Sequence, residues 1–85
     1  MSYTIQFKPA ALRQLEKFPR EARRRIVTRI EALRDDPFPP GCKKLAGVPD
    51  VWRVRVGKYR IVYQVRREIL VIFILAVGHR KDVYR

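Results

Sequence analysis

Apolar and polar residues alternate on both sides of Gly57-Lys58 in residues 51–65, VWRVRVGKYRIVYQV, and that period of two predicts a β-hairpin. With Gly57 and Lys58 as the turn, Val56 falls opposite Tyr59, Arg55 opposite Arg60, Val54 opposite Ile61, Arg53 opposite Val62 and Trp52 opposite Tyr63. This register gathers Trp52, Val54, Val56, Tyr59, Ile61 and Tyr63 on one face and projects Arg53, Arg55 and Arg60 from the other. Arg55 and Arg60 then stand directly across from each other, with Cβ atoms about 4.5–5.5 Å apart, where like charges repel. Either the arginines fan into water on a solvated basic face, or an anion between them reverses the sign of the interaction and the pair is a phosphate site.

The rest of the chain changes period twice. Tyr3, Ile5 and Phe7 alternate with polar neighbours, which predicts a first strand, and Pro9 permits a helix to start. Ala11, Leu15 and Phe18 then share a helical stripe that stops near Pro19, and Ala22, Ile26, Ile30 and Leu33 face inward from a second helix beginning at about Arg20. Asp35-Asp36-Pro37-Phe38-Pro39-Pro40-Gly41 cannot continue a helix and predicts a short rigid connector. A loop follows in which Lys43 and Lys44 stay in water and Leu45 plugs the core. Arg66-Arg67-Glu68 turns the chain after the hairpin. Residues 69–77, ILVIFILAV, are apolar on both faces, as a strand inside a sheet should be, and their Ile and Val content favours strand over helix. The expected fold class is α+β, in the order β-α-α-β-β-β, with residues 1–85 forming a single domain.

Charge narrows the partners. The chain carries 20 Lys+Arg against 8 Asp+Glu, a formal net charge of +12 spread over both halves. Such a field selects polyanions: nucleic acid, ribosome, acidic protein segments or anionic membrane. Arg20, Arg23, Arg24, Arg25, Arg29 and Arg34 lie on the outer face of the second helix with Glu21 and Glu31 as helix-spaced partners. That face is either solvated or a contact surface for RNA phosphates. The one cysteine, Cys42, excludes an internal disulfide, has no neighbours at zinc-ligand spacing and suits a reducing cytosol. The N-terminus has no apolar signal core, and the run at 69–77 is about half a membrane span. A soluble cytoplasmic protein that does not use a membrane is expected.

The order of elements, together with LAGVPDVWRVRVGKYRIVYQV and the closing VGHRKDVYR, resembles the RelE/ParE superfamily of toxin-antitoxin toxins, and within it the RelE ribosome-dependent mRNA endoribonucleases. The resemblance spans nearly the whole chain. It implies an antiparallel-rich sheet with the helical hairpin packed on one face and a concave basic face that receives message in the ribosomal A site. It also implies cleavage by attack of a ribose 2′-hydroxyl on the adjacent phosphate, with no metal or cofactor. The implied partners are the ribosome and its mRNA and an acidic RelB-like antitoxin, with the toxin's own promoter DNA reached only through the antitoxin complex. Arg53 and Arg55 stand where RelE has two lysines, Arg60 where it has a phosphate-binding arginine, and Arg80 and Tyr84 match its C-terminal arginine and tyrosine.

Such a reaction needs a proton acceptor, fixed positive charge for the dianionic transition state and an acid for the departing 5′-oxygen. Arg55, Arg60 and Arg80 are the candidates to hold the scissile phosphate, since guanidinium forks match its geometry. Tyr84 is the candidate base, if neighbouring guanidiniums lower its pKa, or a stacking ring for a substrate base. His79, where RelE has a lysine, is the secondary candidate, as acid. Arg53, Lys43, Lys44, Lys58 and Lys81 are candidate substrate contacts. Arginine holds its proton more tightly than lysine, so Arg55 retains the electrostatic role of the family's lysine and is a poor proton shuttle. Two other functions stay open: a ParE-like inhibitor that binds DNA gyrase, and an RNA-binding relative that grips without cutting.

Overall fold

The computed structural model describes residues 2–79. Its elements run β1 (Thr4–Phe7), α1 (Pro9–Glu16), α2 (Arg20–Ala32), β2 (Lys43–Lys44), β3 (Val51–Val56), β4 (Tyr59–Arg66) and β5 (Val71–His79). The strands form one sheet in the order β1-β5-β4-β3-β2, with β1 parallel to β5 and the other neighbours antiparallel. The α+β class and the order of the long elements are as expected. The addition is β2: Lys43 and Lys44 pair with Arg53 and Trp52 as a short edge strand rather than sitting in a loop.

The β3–β4 hairpin has the register that alternation predicts, from Trp52 opposite Tyr63 to Val56 opposite Tyr59. Gly57 takes φ +58°, the left-handed value that glycine supplies at the first central position of a two-residue hairpin turn. The Arg25 guanidinium lies beside this turn, 3.2 Å from where a Cβ on Gly57 would stand, so helix α2 reaches the hairpin tip.

Both helices cover one face of the sheet. Ala11 and Leu15 of α1, Ile26 and Ile30 of α2, and Leu33 just beyond it meet Val54, Ile61, Tyr63, Val65, Ile72, Ile74 and Val77. Helix α1 ends at Glu16, so Phe18 reaches the core from the interhelical link, its ring 4.9 Å from that of Tyr59. Strand β5 begins at Val71 instead of Ile69, because Leu70 adopts a left-handed φ of +54° and ends the turn. Its pairing with β4 slips by one residue between Val62/Ala76 and Tyr63/Ile74, leaving Leu75 as the extra residue of a bulge. The bulge lets Ile72, Ile74 and Val77 all point at the helices, a phase change that an unbroken period of two would forbid. Beyond the end of β1, the Val77 N–H donates to the Gln14 side-chain oxygen at 2.8 Å, so α1 closes the edge that β1 leaves.

The connector after α2 is pinned to the core. Phe38 meets Trp52 at 4.7 Å, and the buried Tyr63 hydroxyl donates to the Pro37 carbonyl at 2.8 Å. Leu45, expected to plug the core, is half-buried and lies outside the buried cluster; Phe38 and Cys42 pack there from the connector instead. Burial, then neighbouring Cys42 and Asp36, push the Tyr63 hydroxyl well above the ordinary tyrosine range. Tyr63→Phe is expected to cost about 1 kcal/mol of stability by urea unfolding at neutral pH, the usual net worth of one hydrogen bond. The raised pKa sets a sign: the unfolded chain releases this proton at about pH 10, before the folded one does, so its contribution is intact below that pH and falls above it. The gap between the native protein and Tyr63→Phe should therefore narrow as pH rises through that region.

Candidate active site

The face of the sheet turned away from the helices carries the arginines. Since Val54, Ile61 and Tyr63 point at the core, their strand neighbours Arg53, Arg55, Arg60 and Val62 point the other way. Arg55 and Arg60 are directly opposed, as the hairpin register predicts, and on its other side Arg60 faces Gly78 of β5. A pocket of about 310 Å³ on this face is lined by Gly41, Lys43, Arg53, Val54, Arg55 and Arg60. Of the ten candidates this pocket unites four.

The two opposed arginines differ in environment. Arg55 is exposed, whereas Arg60, on the central strand, is only 8% exposed. A charge largely out of water acts on an anion through a lower effective dielectric: at 4 Å the attraction is about 4 kcal/mol at an effective dielectric of 20 against about 1 in bulk water. Toward an anion in the pocket, Arg60 would therefore exert the stronger field and Arg55 would be the more adaptable. The exposed Arg55 fork can bond a phosphate in bidentate fashion, whereas Nε and Nη1 of Arg60 are buried.

The remaining candidates are distributed differently. Lys44 follows Lys43 on β2 and points to the opposite face, level with Trp52, so it does not reach the pocket. Lys58 sits exposed in the hairpin turn and does not line it. His79 pairs with Tyr59, not Arg60, and its ring lies edge-on to Tyr59 at 6.1 Å on the helix side. A histidine one residue beyond Gly78 has the wrong parity to face the arginine pair. Arg80, Lys81 and Tyr84 lie outside the described residues.

The sequence marks Gly41 only as a chain breaker, yet it forms a wall of the pocket, with φ +90° and no atom within 4 Å of where a Cβ would be. The Pro-Pro-Gly sequence signalled a turn but nothing about which face the turn would border. On the helix side, Glu21, Arg24, Arg25, Arg29 and Val56 line a separate groove of about 350 Å³. Arg34 leaves that basic face: it bonds Glu31 at 2.7 Å, holding that carboxyl below the usual range, and reaches the Tyr3 carbonyl at 3.2 Å.

A helical pair on one side of a mixed five-stranded sheet, and an arginine-lined pocket on the other, define an α+β protein with concentrated positive charge on the sheet face away from its helices. A family model described as the ParE toxin of the type II toxin-antitoxin system parDE matches residues 5–84, and the chain belongs to this family of toxins. Curated relatives include several with RelE names and one named toxin RelG. A putative RelE-like toxin protein of Escherichia coli is 33% identical, covering 99% of this chain and 92% of that one. The mRNA interferase toxin RelE of Escherichia coli K12 is 31% identical over the same shares. Among solved structures, the archaeal RelE-RelB complex from Pyrococcus horikoshii matches with a TM-score of 0.84 at 28% identity, over 98% of this chain and 100% of that chain. The toxin-antitoxin complex RelBE2 from Mycobacterium tuberculosis matches with a TM-score of 0.83 at 29% identity, over 94% and 100%.

Proposed function

We propose that this toxin is a metal-independent endoribonuclease that cuts mRNA in the ribosomal A site, using the Arg55–Arg60 pocket to hold the scissile phosphate. The observation that carries the reading is the convergence of Arg53, Arg55, Arg60 and Lys43 on one pocket, with the half that is nearly out of water on the central strand. Relatives named mRNA interferase support the same chemistry. Attack by the 2′-oxygen builds charge on the phosphate, and fixed guanidiniums stabilise that charge without reorganising. Arginines at 53 and 55 hold their protons too tightly to act as the base. Proton transfer therefore falls to groups beyond β5, with Arg80 adding charge, Lys81 gripping the backbone and Tyr84 as base. Lys44 and Lys58 act as outlying contacts to the RNA or ribosome.

His79 gives the reading a sharp check. With its ring against Tyr59 it contributes packing, so His79→Ala should reduce cleavage by far less than the roughly hundredfold minimum that a general acid or base supplies. A larger loss, with a matching change in the pH-rate profile, would return His79 to the catalytic set. The activity itself is tested by adding the toxin to a cell-free translation system and mapping message ends by primer extension. Cuts confined to translated message are expected, and equal cutting of ribosome-free RNA would remove the ribosome from the proposal.

Solved relatives bound to RelB support a cognate antitoxin as partner, here an acidic segment that folds over the basic surface and links the toxin to promoter DNA. The setting that fits these partners is the cytoplasm. The ParE description of the matching family favours one other reading, inhibition of DNA gyrase without catalysis. Loss of gyrase supercoiling with no message cleaved would select it.

A further inference from the structure

The open face of the sheet continues past the arginine pocket into a row of different character. Strand register sets Gln6 of β1, Phe73 of β5 and Gln64 of β4 side by side. All three turn away from the helices, because their neighbours Ile5, Ile72, Ile74, Tyr63 and Val65 face the core. Phe73 and Gln64 are half-buried and Gln6 is exposed. The exposed Lys8 places its ammonium 4.8 Å from the centre of the Phe73 ring, so the ring offers a face outside the core cluster.

We propose that Gln6, Phe73 and Gln64 form a nucleobase-reading subsite, in which one unpaired base of single-stranded RNA stacks on Phe73 and is read along its edge by the carboxamides. The inference rests on the arginine pocket being a phosphate site, and it adds what the pocket lacks, a means of reading sequence. Arg60 and Gln64 are four residues apart on one strand, about 13 Å at roughly 3.3 Å per residue, so a chain anchored at the pocket can lay a neighbouring nucleotide on the row. The row between them, Arg53, Val62 and Ala76, has neither ring nor carboxamide. Every base has a face that stacks on an aromatic ring, so Phe73 supplies affinity with little discrimination. A carboxamide carries donor and acceptor together and pairs in bidentate fashion with adenine, so the glutamines supply preference, and that preference is adenine. The Lys8 ammonium yields the ring to the base and moves to the adjoining phosphate.

The test is binding of uncleavable 2′-O-methyl oligo(A), oligo(C) and oligo(U) to the full chain by fluorescence anisotropy across a salt series. The native protein should bind oligo(A) most tightly. Phe73→Leu, which keeps apolar bulk, should weaken all three by about tenfold, within the usual range for one stacked base. Gln64→Leu and Gln6→Leu should level the oligo(A) preference. None of the three should alter the salt slope, whereas Arg55→Ala should make it shallower. Native-like binding by Phe73→Leu together with a retained oligo(A) preference in both glutamine variants overturns the subsite while leaving the phosphate pocket standing. Unchanged affinity and salt slope in Arg55→Ala overturns the pocket instead, and native protein that binds none of the oligonucleotides overturns both. If the variants lose only binding to an acidic antitoxin segment, the row is a protein interface and the subsite is wrong. Melting temperatures confirm that Phe73→Leu is folded, and the glutamine variants carry the test should it not be.

Discussion

Arg60→Ala is expected to lower cleavage of ribosome-bound message by about a hundred- to a thousandfold, the usual effect of removing one fixed donor from a developing oxyanion. Arg60 is the member of the opposed pair that is only 8% exposed, so its field at the phosphate is the less screened by water. Arg55→Ala should cost less, because Arg55 is exposed and water replaces part of what it provides. Arg60→Lys should recover only a fraction of the loss: the charge returns but the planar fork does not. Cleavage by purified variants in a reconstituted translation system measures each step, and thermal melting separates a chemical effect from loss of the Arg60 stem's packing. Equal activity of native protein and a folded Arg60→Ala would move the scissile phosphate elsewhere.

Ile26→Ala should be the most damaging single change to the fold, costing about 2–5 kcal/mol. Ile26 is fully buried and, with Ile30, attaches α2 to the sheet. A chain of this size has a total stability of only about 4–13 kcal/mol on the usual per-residue scale, so one cavity consumes much of it. The loss should also reach the hairpin, since Arg25, the preceding residue, lies beside the Gly57 turn. Urea unfolding followed by circular dichroism measures the cost, and a change below about 0.5 kcal/mol, typical of a surface substitution, would mean that α2 is held mainly by other contacts.

Much of this architecture is legible along the chain, for local reasons. The hairpin register follows from Gly57-Lys58 and a strict alternation, because a side-chain period of two leaves one pairing that buries Trp52, Val54, Ile61 and Tyr63 together. The change to a helical period between Pro9 and Leu33 has an equally short range. Other features have no local signal. In ILVIFILAV every position is apolar, so nothing marks Leu75 as a bulge or shows that Phe73 leaves the core. Two lysines in succession look equivalent until a two-residue edge strand sends Lys43 to the pocket and Lys44 away from it.

The candidate site divides along the same line. That Arg55 and Arg60 oppose each other is a consequence of one turn and its flanking residues, a purely local matter. That Arg60 is nearly buried while Arg55 is exposed, that Gly41 and Lys43 complete the pocket, and that His79 turns toward Tyr59 were decided only by tertiary structure. Burial depends on a strand's rank in the sheet, and the facing of a residue depends on the parity of its pairing. Both are set by contacts between segments far apart in the chain, where no local pattern can reach.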